Sequence, residues 1–238
     1  MKPTELYEDI RKYCKANADE AIVKKYSRFF KDGYDAYGLT REKLEEKVDS
    51  ILSDKKVNMR LVLSTSRLLV KSGKYEETSF AIRLVKELSA QFTTETFKEI
   101  TKWFEIGIIN WGHTDGICGM IISEFFKRKI INLDALEDWR TAKNKYQRRA
   151  VPVAMIEILK ETADFQLLFD FIEPLMLDQE RVVQQGLGWF LREAWKIRKK
   201  ETEAFLFKWK NEAPRLIYQY ATEKMTANEK KRFKKEKK

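Results

Sequence analysis

The residues that could do chemistry crowd into one stretch, Asn110-Trp111-Gly112-His113-Thr114-Asp115-Gly116-Ile117-Cys118-Gly119. It holds the only histidine, one of two cysteines and three of nine glycines in the chain. A polar, aromatic, glycine-rich break between two apolar helical patterns is where a helical protein can place a site, and it also reads as a plain helix–helix turn with an N-cap. His113 is too isolated to anchor a metal site. Cys118 has no second residue placed to make it a nucleophile, so packing is its expected role. Two further clusters stand out: Tyr146-Gln147-Arg148-Arg149-Ala150, and Gly186-Leu187-Gly188-Trp189-Phe190-Leu191-Arg192-Glu193. Two glycines inside a helical pattern cost stability unless something approaches closely there.

The elements that must position these residues are helices. Thr4 to Ala16 places Leu6, Ile10 and Tyr13 at helical spacing, and Asp19 starts a second helix that ends in Lys31-Asp32-Gly33. Thr40 begins a third, ending near Leu52. Apolar patterns then run over 57–70 and 76–92, and Thr93 or Thr94 caps the helix that leads into the motif. Beyond the break, the pattern predicts helices at 116–129, 133–140, 146–159, 164–172, 181–195, 201–209, 213–220 and from Ala227 onward. The runs of β-branched residues are short and sit inside 3.6-residue periods, so no strand is expected. About a dozen helices joined by short turns favour an all-α array of antiparallel pairs. Pairs recurring at about 35 to 45 residues point to a HEAT-like solenoid with a concave face, a helical bundle being the structural alternative.

Composition narrows the partners. The chain has 238 residues with a formal charge of +10, four prolines and nine glycines. Such a basic excess suggests a polyanion, most often nucleic acid. The charge is uneven: from Thr222 to Lys238 eight Lys and Arg face three Asp and Glu, so this stretch carries +5 of the +10. A basic end of this kind reads as a solvated, fraying tail, and we divide the chain into one repeat domain, 1–225, and a tail, 226–238. Two distant cysteines with no metal spacing fit a reducing cytoplasm. The N-terminus lacks an apolar signal-peptide core, and no apolar run approaches the ~20 residues of a membrane span.

Four stretches carry a family resemblance. Gly186-Leu187-Gly188-Trp189-Phe190-Leu191-Arg192-Glu193-Ala194 resembles the "gly-trp-x-leu-arg-glu" helix of the DNA alkylation repair family, the HEAT-repeat alkylpurine DNA glycosylases. Asn110 to Ile117 is similar to that family's Trp-Asp-x-x-Asp segment, and Gln147-Arg148-Arg149-Ala150 resembles its "gln-arg-arg-ala" helix start. Tyr26, in Lys24-Lys25-Tyr26-Ser27-Arg28-Phe29-Phe30 and followed by Tyr37-Gly38-Leu39, sits where the family has an aromatic before a "phe-gly-val" turn. The four occur in order between about residues 5 and 225. The resemblance implies an all-α superhelix with a concave basic face. It also implies hydrolysis of the N-glycosidic bond of cationic N3- or N7-alkylated purines in double-stranded DNA, without a base-flipping pocket, cofactor or metal. It places Asp115 at the catalytic acidic position and Trp111, Trp189 and Tyr26 against the substrate. Arg149, with Arg148 and Arg192, falls to the DNA backbone. A cytoplasmic monomer, associated with the nucleoid when bound to DNA, is the expected state.

The chemistry stands on its own terms. A purine alkylated at N3 or N7 is cationic and already a good leaving group, so the enzyme needs an anion beside the sugar as oxocarbenium character develops. Asp115 is expected in the first turn of a helix running to Lys129, where the helix dipole favours the carboxylate. Indole faces attract a cation by roughly 0.5–2 kcal/mol each, and an arginine fork suits phosphate. Without the resemblance, Asp115 is only a helix N-terminal charge with Thr114 its cap. Arg149 and Arg192 then read as ion-pairing residues on helix surfaces. Of the two indoles, Trp189 is expected to be the more exposed, because Gly186 and Gly188 lighten its surroundings. Trp103, Trp139, Trp195 and Trp209 read as core or as helix contacts. The sequence departs from the family pattern at Gly112-His113, where many active members carry an acidic residue directly after the tryptophan. A non-catalytic homologue that binds distorted or branched DNA, or a protein-interaction scaffold, are the readings from other classes.

Overall fold

The computed structural model describes residues 1–236, and within them the chain is helical throughout, with no strand. The all-α expectation holds. Fourteen α-helices run in order: α1 Pro3–Ala16, α2 Glu20–Ser27, α3 Arg41–Leu52, α4 Met59–Lys71, α5 Tyr75–Glu87, α6 Thr94–Ile106, α7 Trp111–Ile117, α8 Ser123–Lys127, α9 Lys145–Ile156, α10 Phe165–Ile172, α11 Arg181–Ile197, α12 Lys199–Trp209, α13 Arg215–Ala221 and α14 Ala227–Lys231. Their starts follow side-chain chemistry. Asp19, Thr40, Asn58, Thr93, Asn144 and Asp164 each accept a backbone N–H of the first helical turn, filling a donor that the helix itself cannot. Two predicted helices differ in kind. The pattern over 76–92 stops as α-helix at Glu87 and continues as the 3-10 turn Ser89–Gln91, and the expected helix at 133–140 is the 3-10 helix Leu133–Thr141.

The chain divides into two compact units, Met1–Ile130 and a second beginning at Ile131. In the first, α5 packs against α1, α3, α4 and α7. It buries Phe80, Ala81, Ile82, Leu84 and Val85 together with Glu76, Glu77 and Thr78, so it is covered nearly all round, as a central helix must be. The buried Glu76 carboxylate accepts the N–H groups of Tyr37 (2.8 Å), Gly38 (2.7 Å) and Leu39 (3.1 Å), pinning the loop before α3 to the middle of the unit. Glu77 accepts the Tyr37 hydroxyl at 2.7 Å. Gly38 has φ +85°, and a Cβ there would lie 2.1 Å from the Asp19 carbonyl oxygen, so only glycine lets the loop pass α2.

In the second unit α11 is central and packs on α9, α12 and α13. The two glycines of α11 turn out to serve this packing. A Cβ on Gly186 would sit 3.2 Å from Arg149 Cγ and 3.4 Å from Val153 Cγ2 on α9. One on Gly188 would sit 2.5 Å from Tyr220 Cβ and 2.7 Å from the Ile217 carbonyl oxygen on α13. The close approach predicted at these positions is helix against helix. The C-terminal stretch, expected to be a solvated tail, is folded through residue 236. Thr226 caps α14, Phe233 is fully buried and stacks on Phe207 at 4.6 Å, and Arg215 donates to the Phe233 carbonyl at 2.8 Å. One aromatic anchor and a helix cap overcome the fraying expected from charge alone. Lys237 and Lys238 lie outside the described residues.

Candidate functional site

The predicted break is shorter than the motif. Asn110 is the N-cap: its Oδ1 accepts the His113 N–H at 2.9 Å, and Thr114 returns a hydroxyl bond to the Asn110 carbonyl at 2.9 Å. Helix α7 therefore begins at Trp111, not at Gly116. It runs on through a π-helical turn, Cys118–Ile122, into α8. Thr114 is buried inside the helix and does not cap it. Asp115 is the fifth residue of α7, beyond the first turn. The helix puts Asp115 one turn after Trp111, on the same side. Asp115 is half-buried.

Trp111 is 39% exposed and held from two directions. Its Nε1–H donates to the Phe29 carbonyl at 3.2 Å, and its ring stacks on Phe30 with centroids 5.4 Å apart and planes 11° from parallel. Phe30 in turn stacks on Tyr34 at 4.7 Å and meets Tyr75 edge-on at 5.3 Å. Together with Tyr26, 42% exposed, and Phe29, 49% exposed, these rings border a cleft of about 770 Å³ in the first unit. Lys25, Arg41 and Arg83 also reach its walls. Tyr26 and Trp111 were expected from this group, whereas the Phe30, Tyr34 and Tyr75 rings behind Trp111 were not. The signal available was Phe29-Phe30 immediately before the Lys31-Asp32-Gly33 turn, an apolar pair at a helix end, where it could only pack on something non-local.

His113 is a structural residue. It is 3% exposed and stacks on Tyr75 at 4.4 Å. Its Nε2–H donates to the Tyr75 carbonyl at 2.9 Å while Nδ1 accepts from Asn110 Nδ2 at 2.8 Å. That pair of bonds requires the neutral ring, and burial pushes its pKa down to about 4. The backbone at Gly112 is closely approached by neighbouring side chains. A Cβ on Gly112 would meet the Tyr75 hydroxyl at 3.1 Å and Asn110 Oδ1 at 3.3 Å. Cys118 is buried, as expected of packing. Among the described residues no group of three or more His, Cys, Asp or Glu could hold a metal ion.

The remaining predicted residues lie in the second unit. Trp189 is half-buried on α11, and of the two indoles Trp111 is the more exposed, contrary to expectation. The glycines beside Trp189 admit α9 and α13, not solvent. Arg148 forks onto Asp178 (Nε to Oδ2, 2.6 Å) and donates from Nη1 to the Ala142 carbonyl at 2.7 Å. Arg149 is 6% exposed, with Nη1 donating to the Val182 carbonyl at 2.7 Å. Arg192 holds Glu193 at 2.9 Å and Glu223 from α11. These guanidiniums each have protein partners that tie elements of the unit together. Trp103 and Trp139 are core, while Trp195 and Trp209 donate to Glu203 and Glu173, each at 3.1 Å.

No curated protein matches the chain. A solved structure described as a "Predicted DNA alkylation repair enzyme from Enterococcus faecalis" superposes with a TM-score of 0.76 at 14% identity. The match covers 89% of this chain and 98% of that one, a likeness of fold. The family model for the DNA alkylation repair enzyme matches residues 10–225, through α1 and α7 in the first unit and α9 and α11 in the second. All four stretches that carried the resemblance lie inside that match, and the chain belongs to the DNA alkylation repair enzyme family.

Proposed function

We propose that the protein is a DNA glycosylase that hydrolyses the N-glycosidic bond of cationic N3- or N7-alkylated purines in duplex DNA. The observation supporting this most directly is α7, which carries an exposed, braced indole at Trp111 and a carboxylate one turn later at Asp115. In this reading the C1′–N bond breaks with its electron pair moving to the purine, which departs as a neutral base. Because the leaving group already carries the positive charge, no general acid is needed. Asp115 lies beside the sugar as positive charge develops at C1′ and orients the water that attacks it. The proton that water loses passes to solvent, leaving an abasic site. Trp111, Trp189 and Tyr26 supply aromatic surface to the substrate. Arg148, Arg149 and Arg192 contact phosphates by sharing or exchanging their present partners. Phe30 and the Phe29 carbonyl brace the indole at the edge of the cleft, and the reaction has no base-flipping step. The protein works as a monomer, without cofactor or metal, on DNA in the cytoplasm.

The test is release of 7-methylguanine and 3-methyladenine from methylated duplex DNA by wild type and by Asp115→Asn. Release that falls by about 100-fold or more in Asp115→Asn, in line with the loss of one electrostatic stabiliser, supports the reading. Unchanged release removes Asp115 from the mechanism. The second reading, a non-catalytic protein that binds distorted or branched DNA, is favoured by one observation: a Cβ at Gly112 would lie 3.1 Å from the Tyr75 hydroxyl and 3.3 Å from Asn110 Oδ1, so an acidic side chain there requires those groups to give way. Salt-sensitive binding of wild type without any base release establishes that second reading instead.

A further inference from the structure

The three arginines assigned to phosphate contact are engaged inside the second unit, and the positive charge of that unit lies elsewhere. Residues 131–197 carry nine Lys and Arg against eleven Asp and Glu, whereas residues 198–236 carry twelve against six. The basic excess is therefore confined to α12, α13 and the segment that follows. That segment is not loose: Phe233 is fully buried against Phe207 and Tyr218, Met225 is buried, and Arg215 and Asn211 bind the backbone at Phe233 and Glu236.

The ion pairing of this region is lopsided in a way that exposes lysine. Glu223 is taken by Arg192 from α11 as well as by Lys224. Glu229 pairs with Lys199 of α12 and closes the capping box with Thr226. Glu236 pairs with Lys210, and Arg232 is taken by Glu203 of α12. The acidic groups of the segment are thus committed largely to cations from outside it. Lys231, Lys234 and Lys235 are exposed and have no carboxylate partner among the described residues, and Lys230 is exposed with only the Glu223 carbonyl. Lys230 to Lys235 spans at most about 18 Å of backbone even when fully extended, a length over which duplex DNA carries about ten phosphate charges.

We propose that the folded C-terminal segment is a contact surface for the phosphate backbone of duplex DNA, carried by Lys230, Lys231, Lys234 and Lys235 and held in place by Phe233. The proposal rests on the reading that DNA is the substrate. Four ammonium groups with no base-reading side chain among them give contact without sequence preference, which suits an enzyme that must scan undamaged DNA. The surface belongs to binding, not to bond cleavage.

Binding of full-length protein to an undamaged duplex of about 20 base pairs, titrated between roughly 50 and 300 mM salt, tests it. Against wild type stands the variant Lys230→Gln/Lys231→Gln/Lys234→Gln/Lys235→Gln. Its slope of log K against log salt is expected to be shallower by about 3 to 4, at ~0.9 per lost phosphate contact. Its affinity at ~0.1 M salt is expected to fall at least tenfold. An unchanged slope and affinity overturn the proposal. Phe233→Ala, which keeps every lysine but removes the anchor, separates a folded surface from mere charge: weakened binding supports the proposal, and wild-type binding overturns it. Melting curves show whether the rest of the protein stays folded in both variants. Base release from methylated duplex at saturating protein is measured in parallel. Wild type that binds duplex DNA but releases no base sinks the glycosylase reading and leaves the lysine surface to be judged by its salt slope alone.

Discussion

His113 offers a direct measurement of how the candidate site is built. Its ring is buried between Tyr75 and Asn110 with a pKa of about 4, against an ordinary value of 6.5. Desolvation dominates that shift, and the bond to the Tyr75 carbonyl opposes it in part. Protonating the ring in the folded protein would turn Nδ1 into a second donor facing the Asn110 amide, so the bond that holds the N-cap would be lost with the neutral ring. The separation between 4 and 6.5 corresponds to about 3 kcal/mol of preference for the neutral form. In the unfolded chain the ring takes up its proton near pH 6.5. The stability contributed by this residue is therefore complete above that pH, and it is lost as the pH falls towards 4. By pH 5 about 2 kcal/mol is gone. Because this is the only histidine in the chain, its ring resonances need no assignment, and a pH titration by NMR reads the pKa directly. Urea unfolding between pH 8 and pH 5 gives the second readout, compared with His113→Gln, which keeps a donor for the Tyr75 carbonyl and does not titrate. Wild type should lose about 2 kcal/mol more than the variant over that range. A folded-state pKa near 6.5, or parallel stability curves, would refute the placement of His113 as a neutral strut.

Two other substitutions probe the frames of the two units. Gly188→Ala puts a Cβ against the Ile217 carbonyl and Tyr220 Cβ, which are backbone and near-backbone atoms that cannot swing away. Thermal unfolding should show a loss of about 1–3 kcal/mol or more, whereas an unaffected melting temperature would show that α11 and α13 are farther apart than described. Glu76→Gln replaces a carboxylate that accepts three backbone N–H groups with an amide offering one acceptor oxygen. A loss of about 1–3 kcal/mol is expected, together with faster amide exchange at residues 37–39. Unchanged protection there would show that the loop is held by something else.

Much of the fold was legible because helix periods, caps and glycines act locally. Asp19, Thr40, Asp164 and Thr226 announce helix starts through bonds to residues two or three positions on, and the structure places the helices there. The errors came where long-range packing decided. Asn110, not Thr114, caps α7, because Asn110 is also bonded to a histidine that anchors on Tyr75, a residue 38 positions away in sequence. The glycines of α11 looked like a ligand's approach path, yet a helix partner leaves the same small-residue signature. Only the position of α13 tells the two apart. The basic end looked solvated because the number of its charges outweighs a single Phe233. In the site, Trp111 and Tyr26 could be chosen by residue type and family likeness. The Phe30, Tyr34 and Tyr75 rings clustered beside Trp111 could not, since contacts between α5, α7 and the turn after α2 leave no local periodicity to read.

The π-helical turn after α7 has a consequence for register. His113, Ile117, Ile121 and Phe125 are all buried, at a strict spacing of four. In an unbroken α-helix, at ~100° per residue, His113 and Phe125 would point about 120° apart. A π turn takes in about one additional residue and returns roughly 100° of that drift. The residues before the turn and those after it can then face one core. Phe125, stacked on Phe92 at 4.3 Å, holds the far end fixed. The direction in which Trp111 and Asp115 face is thus set by a single inserted residue in the turn at Cys118–Ile122. Removing that residue would re-aim the indole and the carboxylate by about a quarter turn without touching either.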